Sequence, residues 1–231
     1  MRVIAHVDAD CFYVSCERIR DPSLIGKPVG VLGNQGSCVI ARSYEMKARG
    51  VTVAMPVRMA KNICPDAIYI KRDFEWYGVI SHQIQEILQD YTPNVEFYSV
   101  DESFMDFGET DRDLHALAKD MQARVLREAH IPVSIGLAQT RILAKIGSDK
   151  NKPFGITVMT SDNLKQMLLE TPVADIHGVG RRLSSQLIAH GIHTAFDYVQ
   201  ARRGLIKELL HKPGEEIWYE LQGKSLLPIR N

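Results

Sequence analysis

Apolar positions run almost unbroken through residues 2–8, "RVIAHVD", and then recur at helical spacing from Phe12 to Ile19. The first pattern predicts a buried strand and the second an amphipathic helix. "KPVGVLG" and "SCVIAR" read as two strands joined by the turn "NQGS", and "SYEMKARG" as a short helix closed by Gly50. A helix near 57–63 and a strand at 67–70 follow. Residues 74–90 form a long helix with Val79, Ile80, Ile84, Ile87 and Leu88 on its apolar face. Beyond it the pattern predicts a hairpin, a helix near 112–129, the strand "PVSIGLA" and a helix from about 140 to 150. Such strand–helix, hairpin and helix–strand units, with a strand-rich insertion at about 20–73, predict an α+β fold. Its sheet is antiparallel or mixed, with helices on one face. From Thr160 onward the pattern is nearly all helical, broken at "HGVG", "HGIH" and "HKPG", which places a domain boundary near 160.

One stretch departs from this regularity. In "YSVDESFMDF", residues 98–107, Asp101 and Glu102 sit side by side within a run of β-branched and aromatic residues. Neighbours on a strand point to opposite faces, so the pair fits a hairpin with arms 94–99 and 103–107 and carboxylates at its tip. Either this is a polar turn, or the gathered charge is compensated by a cation. Asp8 ends the first strand, and a hairpin lying beside that strand would bring Asp8, Asp101 and Glu102 together. Oxygen-rich ligands without His or Cys suit a hard cation such as Mg²⁺ rather than zinc. Asp10 reads as a cap for the following helix.

Composition adds bounds. A chain of 231 residues with 45% hydrophobic and 24% charged residues is an ordinary globular one, and no apolar run approaches membrane-spanning length. The four cysteines, Cys11, Cys16, Cys38 and Cys64, lack metal-binding spacing and read as reduced thiols of a cytoplasmic protein. A net charge of zero speaks against nucleic acid as a partner. The distribution softens that: 11 basic against 15 acidic side chains in residues 1–110, 9 against 7 in 111–170, and 8 against 6 in 171–231.

In the helical tail, "VADIHGVGRRLSSQLIAHGI" has the form helix, Gly-x-Gly turn, helix. Gly178 and Gly180, flanking Val179, would let backbone amides at the second helix's start face a phosphate, with Arg181 and Arg182 adding contacts. Read alone, the arginines are equally solvated side chains and the glycines an ordinary turn.

Four segments in order, "VDADCFYVSCERIRDPSLIGKPVGVLG", "CVIARSYEMKARGV", "YSVDESFMDF" and "SIGLAQTRILAKIGSDKNKPFG", resemble the catalytic core of a Y-family (translesion) DNA polymerase of the UmuC/DinB kind. The resemblance implies a right-hand fold, with a palm at 1–19 and 74–159, fingers at 20–73 and a helix–hairpin–helix thumb at 160–231. It implies DNA-templated, low-fidelity DNA synthesis for lesion bypass and repair, by two-metal-ion phosphoryl transfer with Mg²⁺, for which Mn²⁺ can substitute. Asp8, Asp101 and Glu102 match the family's metal ligands, with the Ala9 carbonyl as a main-chain ligand. Tyr13 matches the steric gate against a ribose 2′-hydroxyl, beside Phe12. Tyr44, Lys47 and Lys152 match triphosphate contacts. Many relatives carry Arg at the position of Lys47, so a forked contact becomes a point-charge contact here. Cys38, Ile40 and Ala54 match positions covering the nascent base pair, and are equally consistent with ordinary core. The implied partners are primer–template DNA and the incoming dNTP, with no membrane. Relatives continue past "LLPIRN" into a little finger domain, and contacts with a sliding clamp or other replication and repair proteins would lie in that C-terminal region. Two other readings are a nucleotide cyclase-like palm enzyme and a non-catalytic helix–hairpin–helix DNA-binding module. The fingers insertion opposes the first, and the complete carboxylate set opposes the second.

Overall fold

The computed structural model of the chain describes residues 2–229. Its first strand, β1 (Arg2–Ala9), is buried along its length beyond Arg2, as an apolar run at the centre of a sheet should be. Helices α1 (Phe12–Arg20), α2 (Tyr44–Ala48) and α3 (Val57–Ile63) and strands β2 (Val29–Leu32), β3 (Val39–Arg42) and β4 (Ile68–Lys71) follow. Then come α4 (Phe74–Gln89), β5 (Val95–Phe97), β6 (Glu102–Glu109), α5 (Leu114–Ala129), β7 (Val133–Ala138), α6 (Arg141–Lys150) and β8 (Ile156–Val158). The remaining helices are α7 (Ser161–Glu170), α8 (Arg181–Ala189), α9 (Ala195–Gln200) and α10 (Arg203–Glu220).

Two sheets result. The larger has the order β5-β6-β1-β7-β8, with β6 antiparallel to both β5 and β1, and β8 parallel to β7. The smaller has the order β3-β2-β4, with β2 antiparallel to β3 and parallel to β4. The mixed α+β character read from the pattern therefore holds. Contacts divide the chain into two compact units. One comprises Met1–Asp8, Leu88–Ala123 and Val133–Asn231, and the other Ala9–Ile87 and Arg124–Pro132.

In the first unit, α6 lies against β7 so closely that a Cβ on Gly136 would overlap the Ala144 carbonyl oxygen and the Ser148 amide nitrogen. Gly147 meets the Gly136 backbone from the other side. Only a glycine pair permits this approach, and it sets where the polar face of α6 stands relative to the sheet. A core that includes Ile4, Phe104, Ile142, Leu187 and Tyr198 extends from this sheet into the helical tail. The buried Glu220 carboxylate accepts from the amides of Leu226 (2.7 Å) and Leu227 (3.0 Å), tying the C-terminal segment to the end of α10.

Several elements differ from the sequence pattern. Strand β8 was hidden because its three residues have no room to alternate. Val79 faces solvent, while Tyr77 takes a core position beside Ile80, Ile84, Ile87 and Leu88. The segment before the Gly-x-Gly turn is a single 3₁₀ turn, Val173–Asp175, not a full helix, as Pro172 precedes it. At "HKPG" the chain kinks within α10, where His211 takes φ 58.

Candidate active site

The register of β1 against β6 builds the site. Asp8 pairs directly with Glu102 and His6 with Phe104, so these four side chains share one face of the sheet. The hairpin expected from "YSVDESFMDF" is present, with residues 98–101 as its turn. Ser99 organises that turn: its Oγ accepts from the amides of Glu102 (3.1 Å) and Asp101 (3.4 Å) and donates to Asp101 Oδ1 at 2.6 Å. Asp101 is thus fixed on the turn, while Asp8 and Glu102 come together on the sheet with His6. One ligand atom from each of His6, Asp8 and Glu102 lies within 4.8 Å of the others.

Two lysines face the carboxylates. Lys152 Nζ lies 2.6 Å from Asp8 Oδ2 and 2.9 Å from Asp149 Oδ1, and Lys145 Nζ donates to Glu102 Oε1 at 2.8 Å. Burial pushes the Asp8 carboxyl up to about 7, although Lys152 pulls it back, and nearby Glu102 adds to the rise. Burial also pushes Glu102 up, but the Lys145 ammonium, 2.8 Å away, outweighs it and holds that group below the usual carboxylate range. Desolvation opposes the charge on Lys152, yet Asp8 and Asp149 keep it firmly protonated. The chemistry of this donor set fits a divalent cation. Two carboxylates in register on adjacent strands supply hard oxygen ligands, and the spot already gathers two positive charges.

The second unit carries a different kind of site. Cys11 precedes α1 in the left-handed conformation, φ 47, and provides no side-chain cap. The first-turn amides of α1 therefore have no side-chain acceptor at the cap, and no acidic residue lies in that turn. Arg18, Arg42 and Lys47 are close enough to lower the Cys11 thiol, although burial and Asp10 dominate and push it up to about 11. Arg42 Nε is buried with no hydrogen-bond partner. Tyr44 donates to Asp10 Oδ1 at 2.9 Å, and Lys47, exposed, lies 5.7 Å above the Tyr44 ring. Asp10 thus holds the Tyr44 hydroxyl through one carboxylate oxygen.

Tyr13 is half-buried and stacked on Tyr77, with centroids 4.5 Å apart and planes at 20°. Phe12 is buried in the core. Cys38 and Ile40 are half-buried on either side of buried Val39, and Ala54 is exposed with φ 65. None of the three is ordinary core, since strand alternation turns Cys38 and Ile40 away from Val39 and Ala54 faces solvent. In the tail, Gly178 takes φ 89, Val179 buries its side chain, and Gly180 stands at the N-cap of α8 without a side-chain cap. Arg181 and Arg182 are exposed.

Residues missed from sequence are His6, Lys145, Arg42 and Tyr77. His6 lies two residues before Asp8, the spacing that puts strand residues on one face. Lys145 and Asp149 are four apart, one face of α6, and Lys152 follows just beyond its end. Tyr77 and Arg42 carried no comparable signal.

The fold has known counterparts. The model of the impB/mucB/samB family matches residues 7–149, and the chain belongs to that family. The Y-family resemblance carried by its motifs is borne out. Over 233 residues the chain is 39% identical to DNA polymerase IV 1 of Bacillus subtilis (strain 168), covering 99% of this chain and 56% of that protein. It is 37% identical over 234 residues to DNA polymerase IV of Pseudomonas aeruginosa (strain UCBPP-PA14), covering 99% and 67%. The insertion ternary complex of Dbh DNA polymerase matches with a TM-score of 0.89 at 28% identity, over 99% of this chain and 70% of that one. DinB from Sulfolobus solfataricus matches with a TM-score of 0.86 at 27% identity, over 99% and 69%. The chain thus spans little more than half the length of the Bacillus subtilis relative. Among the described residues no helix is long and apolar enough to cross a membrane.

Proposed function

We propose that this chain is the nucleotidyl-transfer core of a DNA-templated DNA polymerase of the translesion type. The observation that carries the reading is the Asp8–Glu102 pair, in register on adjacent strands and faced by two lysines. In this reading residues 1–19 and 74–159 are the palm, 20–73 the fingers and 160–231 a helix–hairpin–helix thumb. Asp8, Asp101, Glu102 and the Ala9 carbonyl would hold two divalent ions, Mg²⁺ by the hardness of their oxygens. Bound there, such ions supply charge neutralisation at the transferring phosphate and activation of the attacking hydroxyl.

The chain's own side chains do the rest. Lys152, which pairs with Asp8 and Asp149, would bind triphosphate oxygens. Tyr44 and Lys47 grip the triphosphate, with Lys47 acting as a point charge. The Tyr13 ring occupies the space a ribose 2′-hydroxyl would need. Cys38 and Ile40, half-buried, and the exposed Ala54 offer small to medium apolar surface to the nascent base pair. Gly178, Val179 and Gly180 present backbone amides to a DNA phosphate, with Arg181 and Arg182 beside them. The partners are primer–template DNA and a dNTP.

The test is primer extension by the 231-residue chain with Mg²⁺. Asp8→Ala, Asp101→Ala and Glu102→Ala should each reduce single-nucleotide addition by at least about a thousandfold while circular dichroism stays native, as expected when transition-state charge loses its compensation. Extension near the wild-type rate by any of the three would remove that residue from the site, and template-independent turnover would sink the reading.

A further inference from the structure

His6 lies on β1 two residues before Asp8, fully buried, with its ring 4.5 Å from the Phe104 ring. Its Nδ1 is 2.7 Å from Ser148 Oγ. That hydroxyl donates to the Lys145 carbonyl at 2.9 Å, so its proton is committed. With that proton on the Lys145 carbonyl, Ser148 Oγ would accept from an Nδ1–H, the tautomer that leaves a lone pair on Nε2. Nε2 is buried and has no hydrogen-bond partner. The nearest charged group is Glu102 Oε2 at 3.6 Å, beyond hydrogen-bond reach, and two lone pairs face each other across that gap. A buried acceptor left unmade is costly, and this one points at two carboxylates.

We propose that His6, Asp8 and Glu102 form a binding site for a borderline divalent transition-metal ion such as Zn²⁺ or Co²⁺, with His6 Nε2 as its nitrogen ligand. Donors at about 2.1 Å from one tetrahedral ion stand about 3.4 Å apart; His6 Nε2 and Glu102 Oε2 are already 3.6 Å apart, and the rest of the group, within 4.8 Å, closes by about 1.4 Å at most. The tautomer is already the ligating one, with Ser148 holding the other ring nitrogen as outer partners of metal-bound histidines do. The lysines do not block the site. Lys152 keeps Asp149 when Asp8 turns to an ion, and Glu102 keeps Oε1 on Lys145 while offering Oε2. An imidazole nitrogen favours Zn²⁺ or Co²⁺ and contributes little toward Mg²⁺. His6 therefore biases a carboxylate site toward borderline ions, which compete for ligands that Mg²⁺ would use. That consequence rests on the proposed nucleotidyl-transfer reading; the binding itself does not.

The experiment uses the full chain and needs no activity. Titration with CoCl₂ is followed by visible absorption for wild type and for His6→Asn, whose amide can still donate to Ser148 but lacks Nε2. Losing one nitrogen ligand should weaken Co²⁺ binding at least about tenfold and leave Mg²⁺ binding within about twofold. Long-range ¹H–¹⁵N spectra of the wild type, which need no variant, should show an unprotonated His6 Nε2 that shifts upfield when ZnCl₂ is added. Equal Co²⁺ affinities in the two proteins, or an Nε2 resonance that zinc leaves in place, would overturn the proposal. If the zinc shift is present and primer extension is absent, only the polymerase reading falls. If extension is present and the shift is absent, only the His6 site falls.

Discussion

Tyr13 could not act as a gate if its ring swung freely. Its stack on Tyr77 prevents that, and Tyr77 is itself held by donating to Glu17 Oε1 at 2.7 Å in the core. Aromatic pairs of this geometry add about 0.5–1.5 kcal/mol beyond their burial, which corresponds to at most about a tenfold effect. Tyr77→Leu should therefore raise CTP incorporation relative to dCTP opposite template G by up to about tenfold, and less than Tyr13→Ala does. A sugar preference unchanged in Tyr77→Leu would show that the stack does not support the gate. Cys11 gives a second test at this scale. Its thiol, pushed up to about 11 mainly by burial and then by Asp10, is overwhelmingly protonated at neutral pH. Since only the thiolate reacts, iodoacetamide labelling of the Cys11 peptide should be slow at about pH 8 and still accelerating above about pH 9. A rate that levels off below about pH 9 would contradict the desolvation seen at that turn.

At the scale of elements, the approach of α6 to β7 is the feature on which the site depends. It carries Lys145 to Glu102 and Ser148 to His6. Gly136→Ala would drive a Cβ into the backbone of α6, which can yield only by moving the whole helix. We expect a loss of more than about 3 kcal/mol in urea unfolding, with divalent-ion binding lost as well. Gly78 supplies the contrast. It lies exposed within α4, with nothing within 4 Å of where a Cβ would stand, so Gly78→Ala should stabilise by about 0.5–1 kcal/mol through helix propensity. If the two substitutions had similar effects, the close β7–α6 contact would not be a constraint in solution.

For the molecule as a whole, the proposed function makes charge decisive for how DNA would be held. The chain is neutral overall, and residues 171–231 carry 8 basic against 6 acidic side chains. Binding to primer–template should accordingly be weak and sensitive to salt, since each phosphate contact releases counterions. Between about 50 and 200 mM salt the affinity should fall by about tenfold or more in an anisotropy titration, with no dependence on template sequence. Gly178→Val would force a branched residue into φ 89 and onto Ile217, and should weaken DNA binding while leaving dNTP affinity unchanged. Tight, salt-independent binding would imply contacts to the bases in place of phosphate contacts.

Local patterning was enough to read β1, α4, the Asp101–Glu102 hairpin and the all-helical tail, because period and turn chemistry are carried by neighbouring residues. It also led to Asp8 and Glu102, since carboxylates at the edge of an apolar run are costly without compensation. What tertiary structure alone decided is which groups meet across the sheet and the helix. Strand register put Asp8 opposite Glu102 and left Asp101 on the turn with Ser99. The glycine contact between β7 and α6 delivered Lys145 and Ser148 from distant parts of the chain. His6 looked like one more residue in a buried strand. Its tautomer, and the lone pair it turns toward two carboxylates, follow from a hydroxyl 142 positions along the chain, a separation at which sequence patterns carry no information about contact.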